Sequence, residues 1–462
     1  MDVTVRFVPR SKSEAPRKEF MTGVRSRGIE PLTPDRRKVA PAVRELSNFG
    51  VNALPTLRDR LEAEMTAAQF QEKFKVQLVS RNAPSNAKTD AMKGSYLTPK
   101  QEVPVPTELQ DTIEFAYVPT PVSFYASSVI PPIEDIYHLS VDDVRLALNA
   151  SACHRRGWTG AGVKVAMADT GFELHPWFLR NGYKLVPTHS PGSGNPAIDE
   201  VGHGTGEAAN IFAVAPDCTV FGVKHGNTTA STLEACIEQQ PDIMTHSWGW
   251  SVDTQSKAQL KVDDPNFFNE LIDVETVILE AIAKGICVFF SGGNGHFSFP
   301  ACIKEVIAVG GTTVLQDMSL EASNYASSFV SKLYPDRRVP DFCGIVGKSG
   351  NPPLAAHIML PVPANCELDG ENFPSGRRGL GWGIFSGTSA ASPQAAGAAA
   401  LLKGISKKLT PEAVRSILTQ TCVDVDKGKS SMGDVASAGL DLATGAGFMD
   451  VFAACQNAAT TS

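Results

Sequence analysis

No apolar run in this 462-residue chain approaches the roughly 20 residues needed to cross a bilayer. Among the longest are Ile286–Phe290 and the alanine-rich Ala395–Leu402, which stop well short of it. No membrane span and no membrane partner are expected. The opening Met1-Asp-Val-Thr-Val-Arg-Phe holds no apolar stretch of signal-peptide length before a small-residue cleavage site, so a cytoplasmic protein is expected. Cysteine is scarce and not paired in pattern: nine residues, at 153, 218, 236, 287, 302, 343, 366, 422 and 455, give an odd count with no C-x-x-C spacing. That excludes an ordinary zinc site and favours reduced thiols over a disulfide framework. Cys287 and Cys302, set in apolar segments, read as small hydrophobes.

Charge of one sign is also missing as a dominant feature. The 42% hydrophobic and 20% charged content is that of a soluble globular protein with a substantial core, which excludes disorder throughout. The length suits one large unit and a smaller one. Net charge is −7, but residues 1–50 carry 11 Lys and Arg against 6 Asp and Glu, so they stand at +5 and the remainder at −12. Opposite signs favour docking of the N-terminal part on the rest; a solvated basic tail is the alternative. Aromatics do not interleave with the basic residues and the balance is acidic, so no nucleic-acid partner is expected.

Residues 1–139 are rich in proline and charge, with one helical stretch at Leu57–Phe74 and strand-like pieces at Val76–Val79 and Thr112–Tyr117. They read as a small α+β region. Pro119, Pro121, Pro131 and Pro132 mark an extended linker, because proline and its predecessor both resist helix. From residue 140 to 462 the pattern is α/β. Short, continuously apolar segments of the kind buried on both faces of a mostly parallel sheet alternate with helical ones. The strands are expected at Val163–Ala168, Val220–Val223, Ile243–Thr245, Ile286–Phe290 and Val306–Val309, the helices at Val141–Leu148, Thr232–Gln239, Asn269–Lys284 and Pro411–Gln420. Gly285 suits a helix stop and Thr410-Pro411 a helix start.

In open α/β sheets, reactive groups collect beyond the carboxyl ends of strands. The strand at Val163–Ala168 runs straight into Asp169-Thr170-Gly171, which holds an acidic side chain on a rigid element. Such an Asp more often only caps or turns, so it needs company. His203-Gly204-Thr205-Gly206 opens a segment, Glu207–Val214, of helical character. Further on, Gly387-Thr388-Ser389-Ala390-Ala391-Ser392-Pro393 leads into the small-residue helix Gln394–Leu402. A serine at such a helix start sits where backbone N–H groups and the positive dipole end face an anion. Pro393 is tolerated because a first turn has no i−4 partner to lose.

These three segments, in this order, resemble the signatures of the subtilisin-like serine protease family, the subtilases of peptidase S8 type. The order Asp, His, Ser is that of subtilisin and not of chymotrypsin or the α/β-hydrolases. The resemblance covers about residues 140–455, through Gly157–Ala166, His175-Pro176, Tyr325-Ala326-Ser327, Pro340-Asp341 and Gly445–Asp450. It implies a three-layer subtilisin-like fold and a serine endopeptidase with Asp169, His203 and Ser389 as the triad. Asn294, in Ser291-Gly292-Gly293-Asn294-Gly295, falls on the family's oxyanion segment and would donate beside the Ser389 N–H. Ser247-Trp248-Gly249 resembles the strand that binds an extended protein or peptide substrate. Trp248 and Trp250 are read either as walls of an apolar pocket or as core.

Where many relatives carry a second histidine after His-Gly-Thr, this chain has Gly206. The long separation between Asn294 and Ser389 implies an inserted surface segment over Lys348–Arg378. The chemistry needs no cofactor; structural calcium, common in the family, has no evident oxygen-ligand loop here. Residues 1–139 have the position of a propeptide that blocks the cleft as an intramolecular inhibitor until self-cleavage between about 115 and 140 in a zymogen; a permanent regulatory domain is the other reading. Two rivals remain: a catalytically silent relative acting as a binding or scaffold protein, and an enzyme dedicated to one partner substrate.

Overall fold

Residues 2–11, 33–82, 95–124, 136–252, 256–348, 354–371 and 379–461 are described by a computed structural model. The N-terminal part contains β1 (Asp2–Pro9), α1 (Arg36–Asn48), β2 (Leu54–Pro55), β3 (Leu61–Thr66), α2 (Ala67–Phe74), β4 (Leu78–Asn82), β5 (Ser95–Pro99) and β6 (Ile113–Tyr117). β2, β3, β1 and β6 form an antiparallel sheet in that order, and β4 pairs with β5. The two-residue period of β1 assigns its faces. Val3, Val5 and Phe7 join Leu61, Ala63 and Met65 of β3 in a small core with Ala42, Leu46, Phe70 and Phe74 of the two helices. Arg6 and Val8 face the rest of the protein.

The expected helix over Leu57–Phe74 is therefore half strand: Leu61, Ala63 and Met65 alternate inward, and helix begins only at Ala67. A capping box sets the change, with Thr66 Oγ1 accepting from Gln69 N at 3.2 Å and Gln69 Oε1 accepting from Thr66 N at 2.9 Å. The strand expected at Val76–Val79 starts at Leu78 instead. Pro131 and Pro132 lie outside the described residues.

β7 (Ser123–Phe124), β8 (Ile136–Leu139) and α3 (Val141–Ala147) lead to the large α/β unit, which contains the main sheet. Its elements are β9 (Lys164–Asp169), β10 (Lys184–Thr188), α4 (His203–Val214), β11 (Thr219–Lys224), α5 (Thr229–Glu238), β12 (Ile243–His246), β13 (Trp248–Ser251), α6 (Pro265–Ala283), β14 (Cys287–Ser291), β15 (Ser298–Phe299), β16 (Ile307–Val314), β17 (Leu320–Ala322), the small pair β18 (Phe329–Val330) and β19 (Arg338–Val339), β20 (Phe342–Ile345), β21 (Leu354–Pro361), β22 (Trp382–Phe385), α7 (Thr388–Ile405) and α8 (Pro411–Gln420). The strand order is β10-β11-β9-β12-β14-β16-β17, parallel up to β16 with β17 antiparallel; β20 also runs parallel to β16.

Both faces of this sheet are covered, which makes three layers. Val165, Met167, Cys287 and Phe289 point to the side of α4, α7 and α8, where they meet Ile211, Ala398 and Val414. Ala166, Ala168, Val288 and Phe290 point to the side of α5 and α6, where they meet Leu233, Val274 and Ile278. Such strands read as unbroken apolar runs because neither face is solvated. The chain leaves β9 toward β11 on one side and returns to β12 on the other, so the strand order reverses at the carboxyl end of β9, where a ligand crevice is expected in such sheets.

The expected surface insertion over Lys348–Arg378 is corrected. Residues 349–353 and 372–378 lie outside the described set, but β21 runs parallel to β8 and antiparallel to β22. Its Ala356, Ile358 and Leu360, with Val362, Cys366 and Leu368, belong to the main core. The segment is apolar enough to form an extra covered layer.

The N-terminal sheet docks on α5 and α6 through buried charge. Arg6 Nη2 reaches Glu234 Oε1 at 2.7 Å and its Nε reaches Asp273 Oδ2 at 2.6 Å, while Glu62 closes on Nη1. Arg60 bonds Asp273 Oδ1 at 3.1 Å and Glu280 Oε1 at 3.3 Å, and Tyr117 Oη donates to Asp273 Oδ2 at 2.7 Å. Both guanidinium groups are wholly buried. Of the basic residues in 1–50, Arg6 makes this docking contact, while Arg36 and Arg37 are exposed; residues 12–32 lie outside the described set.

Candidate active site

Asp169 is the last residue of β9, and its Oδ1 accepts from Thr170 N at 2.8 Å and from His203 Nδ1 at 2.7 Å. A carboxylate only accepts, so Nδ1 carries the proton and Nε2 of the neutral ring is the basic nitrogen. Both side chains are fully buried. Burial acts to lower the His203 pKa, but Asp169, Glu207 and Asp199 outweigh it and hold it up to about 9. His203 is the first residue of α4, and the next residue must be small: a Cβ on Gly204 would stand 2.4 Å from Gly171 O and 2.9 Å from Asp169 Cβ.

The sequence reading missed Asp199. Its carboxylate accepts from Thr170 Oγ1 at 2.7 Å, Gly202 N at 2.8 Å, Thr205 N at 2.9 Å and Thr205 Oγ1 at 2.7 Å. It thereby ties the turn after Asp169 to the first turn of α4. Burial pushes its pKa up, against those donors. Nothing in the local sequence marks it, because its partners lie on two separate segments.

Helix α7 begins at Thr388, with Ser389 its second residue, so the helix expected from Gln394 starts earlier and Pro393 lies inside it and not in the first turn. Its N-cap Gly387 has φ of +106°, a conformation L side chains rarely adopt. A Cβ there would also stand 2.8 Å from Asn294 Nδ2, so the Asn294 loop and the helix start are in contact. Asn294 Oδ1 accepts from Thr388 N at 2.9 Å and Thr388 Oγ1 at 3.0 Å, while Gly293 N donates to Thr388 Oγ1 at 3.1 Å. Its carbonyl is thus committed to Thr388, which fixes the direction of its amide N–H groups. Ser327, in the Tyr325-Ala326-Ser327 segment, steadies the loop by accepting from Gly295 N and His296 N, both at 2.9 Å.

Helices α4 and α7 pack in step. Gln394 Nε2 donates to Asn210 Oδ1 at 3.3 Å, and a Cβ on Gly397 would touch Val214. They are therefore parallel, with His203 and Ser389 at the same end. Phe385, four residues before Ser389, has its ring 6.3 Å from that of His203. The same ring accounts for Gly206, where a Cβ would come within 2.4 Å of Phe385 Cζ. Phe385 occupies the space a second histidine would need.

Ser247 Oγ donates to Ser389 O at 2.8 Å, and Ser389 Oγ lies 3.4 Å from Ser247 O, so β13 begins against the serine. The side chains of Trp248 and Trp250 are core and not pocket walls. Both are buried in the layer with Phe290 and Phe299, and Trp248 Nε1 donates to Ala168 O at 2.8 Å. Main chain at Trp248 and Gly249 instead pairs antiparallel with Phe124 and Ser123 of β7. The chain is steered into that pairing upstream: Asn266 bonds both Val118 N and Val118 O at 3.0 Å, and Glu270 accepts from Thr120 N at 2.9 and 2.7 Å.

No described helix is long and apolar enough to cross a membrane. None of the nine cysteines is in a disulfide. Among the described residues no group of three or more His, Cys, Asp or Glu is arranged to hold a metal ion.

Comparison with known proteins identifies the family and the fold. The chain is 28% identical over 296 residues to Subtilisin Savinase of Lederbergia lenta, covering 60% of this chain and 90% of that one. It is likewise 28% identical over 296 residues to an alkaline protease of Alkalihalobacillus alcalophilus, of whose length it spans 63%. The crystal structure of fervidolysin from Fervidobacterium pennivorans, a keratinolytic enzyme related to subtilisin, superposes with a TM-score of 0.58 at 16% identity, covering 99% of this chain and 61% of that one. A lanthipeptide protease superposes with a TM-score of 0.50 at 20% identity, covering 68% and 94%. Both superpositions show a shared fold. Residues 160–447, more than half of the chain, match the family model described as the subtilase family, and the chain belongs to that family of S8 peptidases.

Proposed function

We propose that the protein is a serine endopeptidase working through Asp169, His203 and Ser389, with residues 140–462 as the peptidase domain. The 2.7 Å contact from Asp169 Oδ1 to His203 Nδ1, at the same end of the parallel helices as Ser389, carries this reading. His203 Nε2 takes the Ser389 proton as Oγ attacks the scissile carbonyl. The developing oxyanion receives the Asn294 amide and the Ser389 N–H. The proton passes to the leaving amine, and water then hydrolyses the acyl-enzyme. The chemistry needs no cofactor. The substrate lies as an extended strand on Ser247-Trp248-Gly249.

Residues 1–139 form, on this proposal, a propeptide-like inhibitory region. β7 takes the edge of β13 that a substrate strand would use, and the Asn266 and Glu270 clamps direct it there. Self-cleavage is proposed between about residues 115 and 140, in a cytoplasmic enzyme with a restricted partner substrate. The test is the intact mass of the purified wild type beside Ser389→Ala, with fluorophosphonate labelling of both. Loss of the N-terminal region and labelling in the wild type alone are expected. A full-length, unlabelled wild type would instead support the scaffold reading.

A further inference from the structure

The reaction proposed for His203 needs a neutral ring before serine attack and a charged one after it, and a second carboxylate stands beside that ring. Glu207 follows His203 by four residues in α4, so the two share one helix face. Its Oε1 is 3.9 Å from His203 Nε2, the nitrogen on the opposite side of the ring from Asp169. Glu207 is fully buried. Its Oε2 accepts from Asn210 Nδ2 at 2.8 Å, and Asn210 is held in turn by Gln394, which is itself bonded to Ile345 N at 2.8 Å and Ile345 O at 3.2 Å. Oε1 has no hydrogen-bond partner among the described residues. One carboxylate oxygen is thus anchored from α7 and β20 while the other is left facing the imidazole. A buried carboxylate half unsatisfied in this way costs free energy that an apolar side chain would not.

We infer that Glu207 is a positioning residue for His203, steadying the charged ring from the Nε2 side as Asp169 does from the Nδ1 side, and so moving the working range of the base to alkaline pH. This rests on His203 being the general base. The sign follows from the charges that reach the pair. Asp169 of β9 and Asp199 of the preceding loop both favour the imidazolium, and Glu207 adds to them. Burial pushes Glu207 itself up to about 7 against the pull of His203. From α7 the neighbours are uncharged, Ser389 and Gln394. β21 carries His357, which burial lowers to about 4. His154 bonds Val214 O at the far end of α4, and Asp142 and Arg145 of α3 pair with each other. No cation among these opposes the two carboxylates at the ring.

Removing the charge at 207 therefore lowers the His203 pKa. The experiment is the pH profile of kcat/KM on a peptide substrate, between about pH 5 and pH 10, for wild type and Glu207→Gln. The acid limb is expected to move down by about one unit or more, and the alkaline plateau to fall several-fold because the charged ring loses a partner. A purely packing role lowers the plateau and leaves the limb in place, and that result overturns the inference. Should Glu207→Gln not fold, Glu207→Met keeps the length and removes the charge, and the same limb shift is required of it. A wild type that neither cleaves nor labels with a fluorophosphonate overturns the proposed function and this inference together. A cleaving wild type with an unmoved limb in the variant overturns this inference alone.

Discussion

The docking of the N-terminal sheet on α5 and α6 turns on Asp273, which accepts from Arg6, Arg60 and Tyr117 in a site closed to water. Asp273→Ala leaves two buried guanidinium groups short of a counter-charge. At an effective dielectric of about 20, one ion pair at about 4 Å is worth about 4 kcal/mol. Glu234, Glu62 and Glu280 remain to compensate in part, so a net loss of about 3–5 kcal/mol is expected, the usual cost of breaking one side of a buried pair. The measurement is urea unfolding in the Ser389→Ala background, where on the proposed function the chain stays uncut, followed by circular dichroism and by protease sensitivity of the N-terminal region. Arg36→Ala is the control: its pair with Asp59 is exposed, and the midpoint is expected to stay put. The pH sign is also defined. Burial acts to raise the Asp273 pKa, but Arg6 and Arg60 outweigh it and hold it down to about 2. Its contribution to docking is present above the ordinary carboxylate range and lost as pH falls toward 2. A loss under about 1 kcal/mol for Asp273→Ala would refute the reasoning.

Two further outcomes follow from the site. Asn294→Ala is expected to lower kcat by about a hundred- to thousandfold with KM nearly unchanged, as for the asparagine in this place in subtilisin; a rise in KM alone would assign Asn294 to substrate binding. Gly206→Ala drives a methyl group into Phe385 and is expected to cost about 1–3 kcal/mol in thermal unfolding, with reduced turnover as the ring shifts against His203. Phe385→Leu in the same chain is expected to recover part of both, and an unchanged melting temperature for Gly206→Ala would remove the steric account of this position.

The five central strands of the large sheet were legible in the sequence because they stand out as apolar runs at 163–168, 220–223, 243–245, 286–290 and 306–309, whereas the partly exposed β10 and β17 and the short β20 were not expected. The helix Pro411–Gln420 was legible to its ends, since its cap and first residue are local signals. Leu57–Phe74 was misread because one window spanned two periods, alternation through Met65 and helix from Ala67; the Thr66/Gln69 box was the available cue. β1 did not stand out although Val3, Val5 and Phe7 alternate, because Arg6 is buried between them against charges supplied by distant parts of the chain. The Asp, His and Ser segments carry local signatures. Asp199 and Glu207 do not, since what distinguishes them is burial and partners supplied by distant parts of the chain. The two tryptophans were ambiguous because an aromatic near a strand end looks the same whichever face it takes.

Helix α7 is buried from Thr388 to Lys403, packed with alanine and glycine against α4 and the sheet. The serine at its tip is therefore mounted on an element that has no water-facing side along that stretch, and it has no private way to come loose. Heat or denaturant that displaces Ser389 must first dismantle the middle of the molecule, so on the proposed function loss of activity and loss of fold should trace a single curve.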